Sequence, residues 1–199
     1  MPLPFDLAAD PPHPWEVAGS SVRTQALPGT DFFIDPVTAG TDAATAVGDA
    51  VTLLGAPPAG DFQLSARVAV GFAAQYDAGV LMVRAAADRW AKLCFEQSPA
   101  GDPMVVSVVT RGTSDDANAF VVDGAEVWLR VSRLGPAYAF HASTDGTSWR
   151  MVRLFSLGAP TDGDRVGFEA QSPMGQGCAV RFDDVRFVAE RLADVRDGS

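Results

Sequence analysis

The chain has 199 residues, a net charge of -10, an isoelectric point near 4.5 and 47% hydrophobic residues. That length suits one all-β domain, since sandwiches run to about 200 to 250 residues, and a chain this long buries on the order of 70% of its unfolded surface without staples. The acidic balance excludes nucleic acid, which selects basic patches, and no stretch is long and uncharged enough to span a bilayer, so neither nucleic acid nor membrane is expected as a partner.

The first residues, Met1-Pro-Leu-Pro-Phe-Asp6, lack the basic and apolar regions of a secretory signal. Residues 39–59 are rich in Ala, Gly and Pro, but Val51-Thr-Leu-Leu54 within them reads as a short strand. Longer strand-like runs follow at 62–72, 79–85, 90–96, 104–111, 126–133, 137–143, 149–154, 165–171 and 178–188. The clearest is Phe62-Gln-Leu-Ser-Ala-Arg-Val-Ala-Val70, with Phe62, Leu64, Ala66, Val68 and Val70 on one face and Gln63, Ser65 and Arg67 on the other. Asp123-Gly124, Asp145-Gly146 and Asp162-Gly163 mark tight turns. Residues 190–196 carry the one short helical pattern, polar and terminal. These elements predict an all-β fold: a two-sheet antiparallel β-sandwich forming one domain over 1–199, its core about 14–188, with a polar tail over 189–199.

Fourteen arginines accompany a single lysine, Lys92. It sits in Trp90-Ala-Lys-Leu-Cys-Phe-Glu96, where alternation sends Ala91, Leu93 and Phe95 to one face and Trp90, Lys92, Cys94 and Glu96 to the other. A compact ammonium differs chemically from a guanidinium fork, so the exchange marks that face as a candidate site. The same alternation adds Ser107 and Arg111, Arg130 and Ser132, His141 and Ser143, and Glu169 and Gln171 as polar sets opposite apolar ones. If their strands share a sheet, these side chains line one concave groove.

Within that groove Trp90 offers an aromatic platform, with Tyr76 and Asp77 at the start of the neighbouring strand. Glu96 and Glu169 form a candidate acid and nucleophile or base pair if about 5 to 10 Å apart, with His141 as a further acid or base. Lys92, Arg111 and Arg130 are suited to anionic or hydroxyl oxygens, and Gln171 to hydrogen bonding. Residues 110–118 read as a polar loop holding Asn118, the only asparagine; Asp115, Asp116 and Asn118 lack EF-hand spacing. Two scattered histidines, His13 and His141, argue against a jelly-roll metal centre, and no metal or cofactor is expected. No G-x-S-x-G elbow, Walker loop or dinucleotide fingerprint occurs. Cys94 and Cys178 read as isolated, reduced thiols, which with the missing signal predicts a cytoplasmic protein.

Taken together, Thr30-Asp-Phe-Phe33, Tyr76-Asp-Ala-Gly79, Trp90-Ala-Lys92, Glu96, Thr110-Arg111, Ser114-Asp115 and Asp145-Gly146 with Trp149 resemble domain-of-unknown-function family 1349. That family includes a fungal protein named for regulation of enolase and bacterial YesU-like proteins. The likeness spans roughly 14–188 and implies a concanavalin A-like jelly roll of the lectin and glucanase type. The glucanase relatives place two acids at short spacing on one strand, whereas Glu96 has no second acid beside it. Ser143-Thr-Asp-Gly-Thr-Ser-Trp149 resembles the Asp-box hairpin of sialidases, where it is structural. The expectation is a carbohydrate-related protein, monomer or homodimer, binding a small sugar or sugar acid. A glycosidase or sugar isomerase using Glu96, Glu169 and His141, and a non-catalytic protein-interaction module, are the alternatives.

Overall fold

The computed structural model describes residues 3–41, 46–161 and 163–199; Met1, Pro2 and Asp162 of the expected Asp162-Gly163 turn lie outside them. The strands are β1 (Ala8–Asp10), β2 (Glu16–Ala18), β3 (Ser21–Gln25), β4 (Phe32–Ile34), β5 (Ala46–Gly48), β6 (Val51–Gly55), β7 (Phe62–Val70) and β8 (Ala78–Ala86). They continue as β9 (Arg89–Gln97), β10 (Pro103–Arg111), β11 (Thr113–Val121), β12 (Glu126–Leu134), β13 (Ala137–Ser143), β14 (Arg150–Phe155), β15 (Arg165–Gln171) and β16 (Ala179–Val188). Two antiparallel sheets form a sandwich, the jelly roll expected. The front sheet runs β1-β6-β15-β8-β9-β10-β11, the back sheet β14-β13-β12-β7-β16-β3-β2, and β4 pairs with β5 as a small separate ribbon.

Alternation decides which residues enter the space between the sheets. From the back come Leu64, Ala66, Val68, Leu129, Val131, Phe140 and Phe182; from the front, Leu81, Val83, Leu93, Phe95, Val105, Val109 and Phe168. On β7 the pattern is the half-buried one expected, with Gln63, Ser65 and Arg67 only partly covered. The central front strands behave differently. Their outer face carries a second apolar layer: Val80, Met82, Trp90, Cys94, Val106 and Val108, closed over by Phe32 and Ala50. Strands buried on both sides read as nearly continuous apolar runs, which is why β8 is Ala-Gly-Val-Leu-Met-Val and β10 is Met-Val-Val-Ser-Val-Val at their centres.

This corrects the expectation of one wet face per strand. On β10 the assignment inverts: Ser107 points between the sheets, where Arg153 donates to its hydroxyl at 3.4 Å, and Val106 and Val108 take the outer face. Residues 110–118, expected as loop, fall on the end of β10 and on edge strand β11, which is exposed along most of its length and so has no apolar alternation to read. Residues 190–196 form no helix; the tail lies as turns on the back sheet with Leu192 buried. Cys94 and Cys178 are both buried and unpaired.

Close approach of the sheets needs a glycine at one place. A Cβ on Gly79 of β8 would stand 2.7 Å from methyl groups of both Val68 and Val180. Gly79→Ala therefore overpacks the inter-sheet core, and urea unfolding should show a loss of about 1 to 3 kcal/mol.

Candidate functional site

The outer face of the front sheet holds a cavity of about 440 Å³ beside the β4–β5 ribbon, lined by Asp31, Phe33, Tyr76, Lys92, Glu96, Asp116, Asn118 and Gln171, with Pro99, Met104 and Val108. Antiparallel register assembles its floor. Gln171 on β15 pairs with Ala78 on β8, which pairs with Glu96 on β9, which pairs with Met104 on β10. One row along, Lys92 pairs with Val108, which pairs with Asp116 on β11. Asp31 enters from the segment leading into β4. The ribbon is tied to the far side of the sheet by Ser114, whose hydroxyl accepts from the Ile34 amide at 2.9 Å.

At the centre is Lys92. Its ammonium is 2% exposed and donates at 2.7 Å to Asp31 Oδ1 and at 2.7 Å to Gln171 Oε1. Burial works against the charged form, but Asp31, then Glu169 and Cys94, outweigh it and raise the Lys92 pKa above its ordinary value. The amine is an ammonium at any physiological pH. The Gln171 amide is oriented from both ends, because its Nε2 donates at 3.1 Å to the Tyr76 carbonyl. Asp31, Lys92, Gln171 and Tyr76 thus form one hydrogen-bonded chain across the pocket.

Tyr76 is 36% exposed and has a φ of 67°. A bulky residue in the left-handed region is strained and is kept there only by its surroundings. Those surroundings are visible. Asp77, fully buried, accepts from the amides of Ala73 and Ala74 at 2.9 Å each and from the Ser172 hydroxyl at 2.6 Å. Asp77 therefore builds the turn that presents Tyr76, and it does not line the cavity itself.

Two acids feel the crowding. Burial, opposed by Lys92 and reinforced by Asp116, Asp31 and Glu169, pushes the Glu96 carboxyl up to about 8. Glu169 is fully buried outside the cavity lining, neither carboxyl oxygen has a hydrogen-bond partner among the described residues, and burial pushes it up to about 7 against the pull of Lys92. Desolvation likewise raises Asp116. Cys94 is fully buried, and burial drives its thiol far above the ordinary range, so it is no nucleophile.

Of the residues expected to share one groove, Tyr76, Lys92, Glu96 and Gln171 line the cavity, with Glu169 beneath the outer layer of the same sheet. Trp90 is on the expected face but only 1% exposed, packed edge-on against Phe32 with ring centroids 5.7 Å apart. It supports Lys92, whose nitrogen lies 5.8 Å from its ring centroid, and offers no platform to a ligand. Arg111 stands at the opposite end of its strand, opposite Arg89, with a guanidinium contact to the Ser156 carbonyl at 3.4 Å.

Arg130 and His141 do not belong to this site at all. They pair on β12 and β13 with side chains on the outer face of the back sheet, the other side of the molecule. The tail covers them: Arg130 donates to the Gly198 carbonyl at 2.6 Å and His141 Nε2 to that of Val195 at 2.8 Å, with the Arg130 guanidinium 4.2 Å from the Trp149 ring centroid. Burial lowers the pKa of both. The single concave groove divides because the two strand sets belong to different sheets, and period 2 cannot assign sheets. Asp31, Phe33, Asp116 and Asn118 were not expected as site residues. The first two lie in the Thr30-Asp-Phe-Phe33 motif, and the last two in what read as a loop.

The Asp145 hairpin is structural, as expected. Asp145 Oδ1 accepts from the amides of Thr147 and Ser148 at 2.7 Å each and from the hydroxyl of Ser143 at 3.0 Å. Among the described residues no cluster of three or more His, Cys, Asp or Glu forms a metal cage, and no helix is long and apolar enough to cross a membrane.

A family model described as a protein of unknown function, DUF1349, matches residues 9–189. The chain belongs to the DUF1349 family. Its fold matches that of a functionally unknown protein from Saccharomyces cerevisiae with a TM-score of 0.77 and 26% identity, over 94% of this chain and 97% of that one. A xylan beta-1,4-xylosidase from Bacillus halodurans gives a TM-score of 0.65 at 13% identity, covering 84% of this chain and 32% of the enzyme. A GH43 protein from Bacillus licheniformis gives 0.64 at 14% identity, covering 88% of this chain and 34% of that one. For these two the likeness shows a shared β-sandwich, and the DUF1349 chain spans about a third of their length. No curated protein matches it at a significant level.

Glu169 makes stability depend on pH. Its ordinary value is 4.5 and the fold raises it to about 7, so between these the native state holds a proton that the unfolded chain releases. That contribution is complete below pH 4.5 and is lost as pH rises to about 7. Urea melts should show Glu169→Gln gaining about 3 kcal/mol relative to the parent on going from pH 4 to pH 8.

Proposed function

We propose that this DUF1349 protein binds a sugar in the front-sheet cavity. The observation that carries the reading is the chemistry of the wall: two aromatic rings, Phe33 and Tyr76, beside hydrogen-bonding groups of Asn118, Gln171, Glu96 and Asp116, in a cavity of about 440 Å³. Sites for small molecules combine apolar walls with a few placed polar groups, and a sugar needs both, an aromatic surface for its C–H face and directional partners for its hydroxyls. The β-sandwich shared with modules of GH43 proteins agrees with a carbohydrate role at the level of fold. Tyr76 takes the part that Trp90, being buried, cannot, and its strained backbone supports a functional origin, since strain persists where presentation matters.

A second reading, a glycosidase, is favoured by one observation: Glu96 reaches the cavity with its carboxyl pushed up to about 8, the protonated form a general acid requires. The second carboxyl group would come from Asp31 or Asp116, which share the cavity, while His141 on the opposite face takes no part. If this reading holds, release of nitrophenol from a panel of nitrophenyl glycosides is measurable and falls at least about 100-fold in Glu96→Gln. Absence of turnover by the parent protein on every glycoside removes it and leaves binding.

Binding itself is tested by saturation-transfer NMR with neutral pentoses, hexoses and their short oligomers. Tyr76→Ala should weaken any sugar that gives a signal by roughly tenfold, with near-UV circular dichroism reporting that the fold is intact. Silence from the whole panel with the parent protein would sink the carbohydrate reading.

A further inference from the structure

Three carboxyl groups, Asp31, Glu96 and Asp116, line the cavity, against one cation, Lys92. That cation is already engaged, held at 2.7 Å by Asp31 and at 2.7 Å by Gln171 and almost wholly out of reach of solvent. A fourth carboxyl, Glu169, lies behind them, with no hydrogen-bond partner among the described residues. Lys92 therefore neutralises Asp31 and leaves two carboxyl groups on the opposite wall, Glu96 and Asp116, with no cation paired to them. Glu96 makes no hydrogen bond or ion pair with a described residue, and Asp116 has a backbone hydrogen bond from Ala117 but no ion pair. Arg153, which also acts on Asp116, pairs with Asp115 at 2.8 Å and does not line the cavity.

We propose that the ligand of this cavity is an amino sugar, its ammonium received by Glu96 and Asp116 and its ring against Tyr76. This rests on the carbohydrate reading above and adds the sign of the ligand's charge. A sugar acid, the other class considered from the sequence, would bring a carboxylate against Glu96 and Asp116, with the one ammonium in the wall committed elsewhere. A carboxylate there gains no counter-charge and is repelled by either carboxyl once it ionises, more so in a partly desolvated cleft. An ammonium supplies the counter-charge that the wall lacks.

The other charged groups facing the cavity respond little. Lys92 on β9 and Asp31 before β4 stay paired, and Glu169 on β15 lies behind them. The carboxyls that change are Glu96 and Asp116, both held toward the protonated form by burial and crowding. An arriving ammonium reverses that bias, so binding near neutral pH expels a proton from the Glu96 carboxyl to solvent.

Isothermal titration at pH 7 in two buffers of different ionisation enthalpy, with glucosamine, glucose, glucuronate and cyclohexylamine as probes, decides the matter. The expected result is glucosamine binding about tenfold or more tightly than glucose, glucuronate weakest, and proton release with glucosamine that is absent in Glu96→Gln. Asp116→Asn should also shrink the preference, and because Asp116 is exposed on an edge strand its variant separates loss of charge from loss of fold. Equal binding of glucose and glucosamine, or tighter glucuronate, overturns the charge inference and leaves the carbohydrate reading standing. Cyclohexylamine matching glucosamine, with no glucose bound, keeps a cationic ligand but overturns the amino sugar. No binding of any of the four overturns the proposal.

Discussion

The ion pair between Lys92 and Asp31 holds the functional face together. Lys92 belongs to the middle of the front sheet and Asp31 to the segment that enters the covering ribbon, so their 2.7 Å contact fastens cover to sheet. A buried pair of this kind is costly to form, and removing one partner is costlier, typically 3 to 5 kcal/mol, because the other is left as an unpaired charge. Everything around it serves to make the charge tolerable. Gln171 supplies a second acceptor, the Trp90 ring lies beneath, and Glu169 adds a distant counter-charge. An ammonium fits this place because it is compact. A guanidinium would bring five donors to a pocket floor offering two acceptors.

The ribbon also explains why the sandwich has two apolar layers rather than one. Where β4 and β5 cover the front sheet, the outward residues are Val80, Met82, Trp90 and Cys94. Where the ribbon ends, the outward residues become Glu96, Gln171 and Asp116, and the cavity opens. On the back sheet a different segment does the covering. There the tail meets one nitrogen of Arg130 and one of His141 through its backbone carbonyls, and neither side chain lines the front-sheet cavity. Polar residues opposite apolar ones thus have two meanings in one molecule, decided by what lies over them.

This distinction marks how far the sequence could be read. Strand existence was legible, because alternation in 62–70, 90–96, 126–133 and 165–171 is a local property of the chain. The face carrying Trp90, Lys92 and Glu96 was legible for the same reason. The sheet to which each strand belongs was not, since pairing of β12 with β7 or of β15 with β8 joins segments far apart in the chain, which no periodicity encodes. His141 and Glu169 therefore looked equivalent and lie on opposite sides of the molecule. Strand β11 escaped because its exposed Asp, Asn and Thr side chains carry a turn-like composition, while its strand state comes from pairing with β10. The lone lysine does line the front-sheet cavity, although its ion-pair partner, Asp31, lies 61 residues away in sequence and had no local signal beyond the motif around it.

Electrostatics ties the site's stability to its use. A wall of carboxyls around one committed ammonium is a poor arrangement for stability alone, as the raised values of Glu96 and Glu169 record. Replacing either with an amide would relieve the fold, and of the two only Glu96 lines the cavity, where the proposed ligand would meet it. Perturbed acids gathered in a cleft beside a strained aromatic residue support the binding site proposed above. Because Lys92 and Asp31 pair with each other, the carboxyls of Glu96 and Asp116 are the cavity groups that the proposed ammonium would ionise and neutralise.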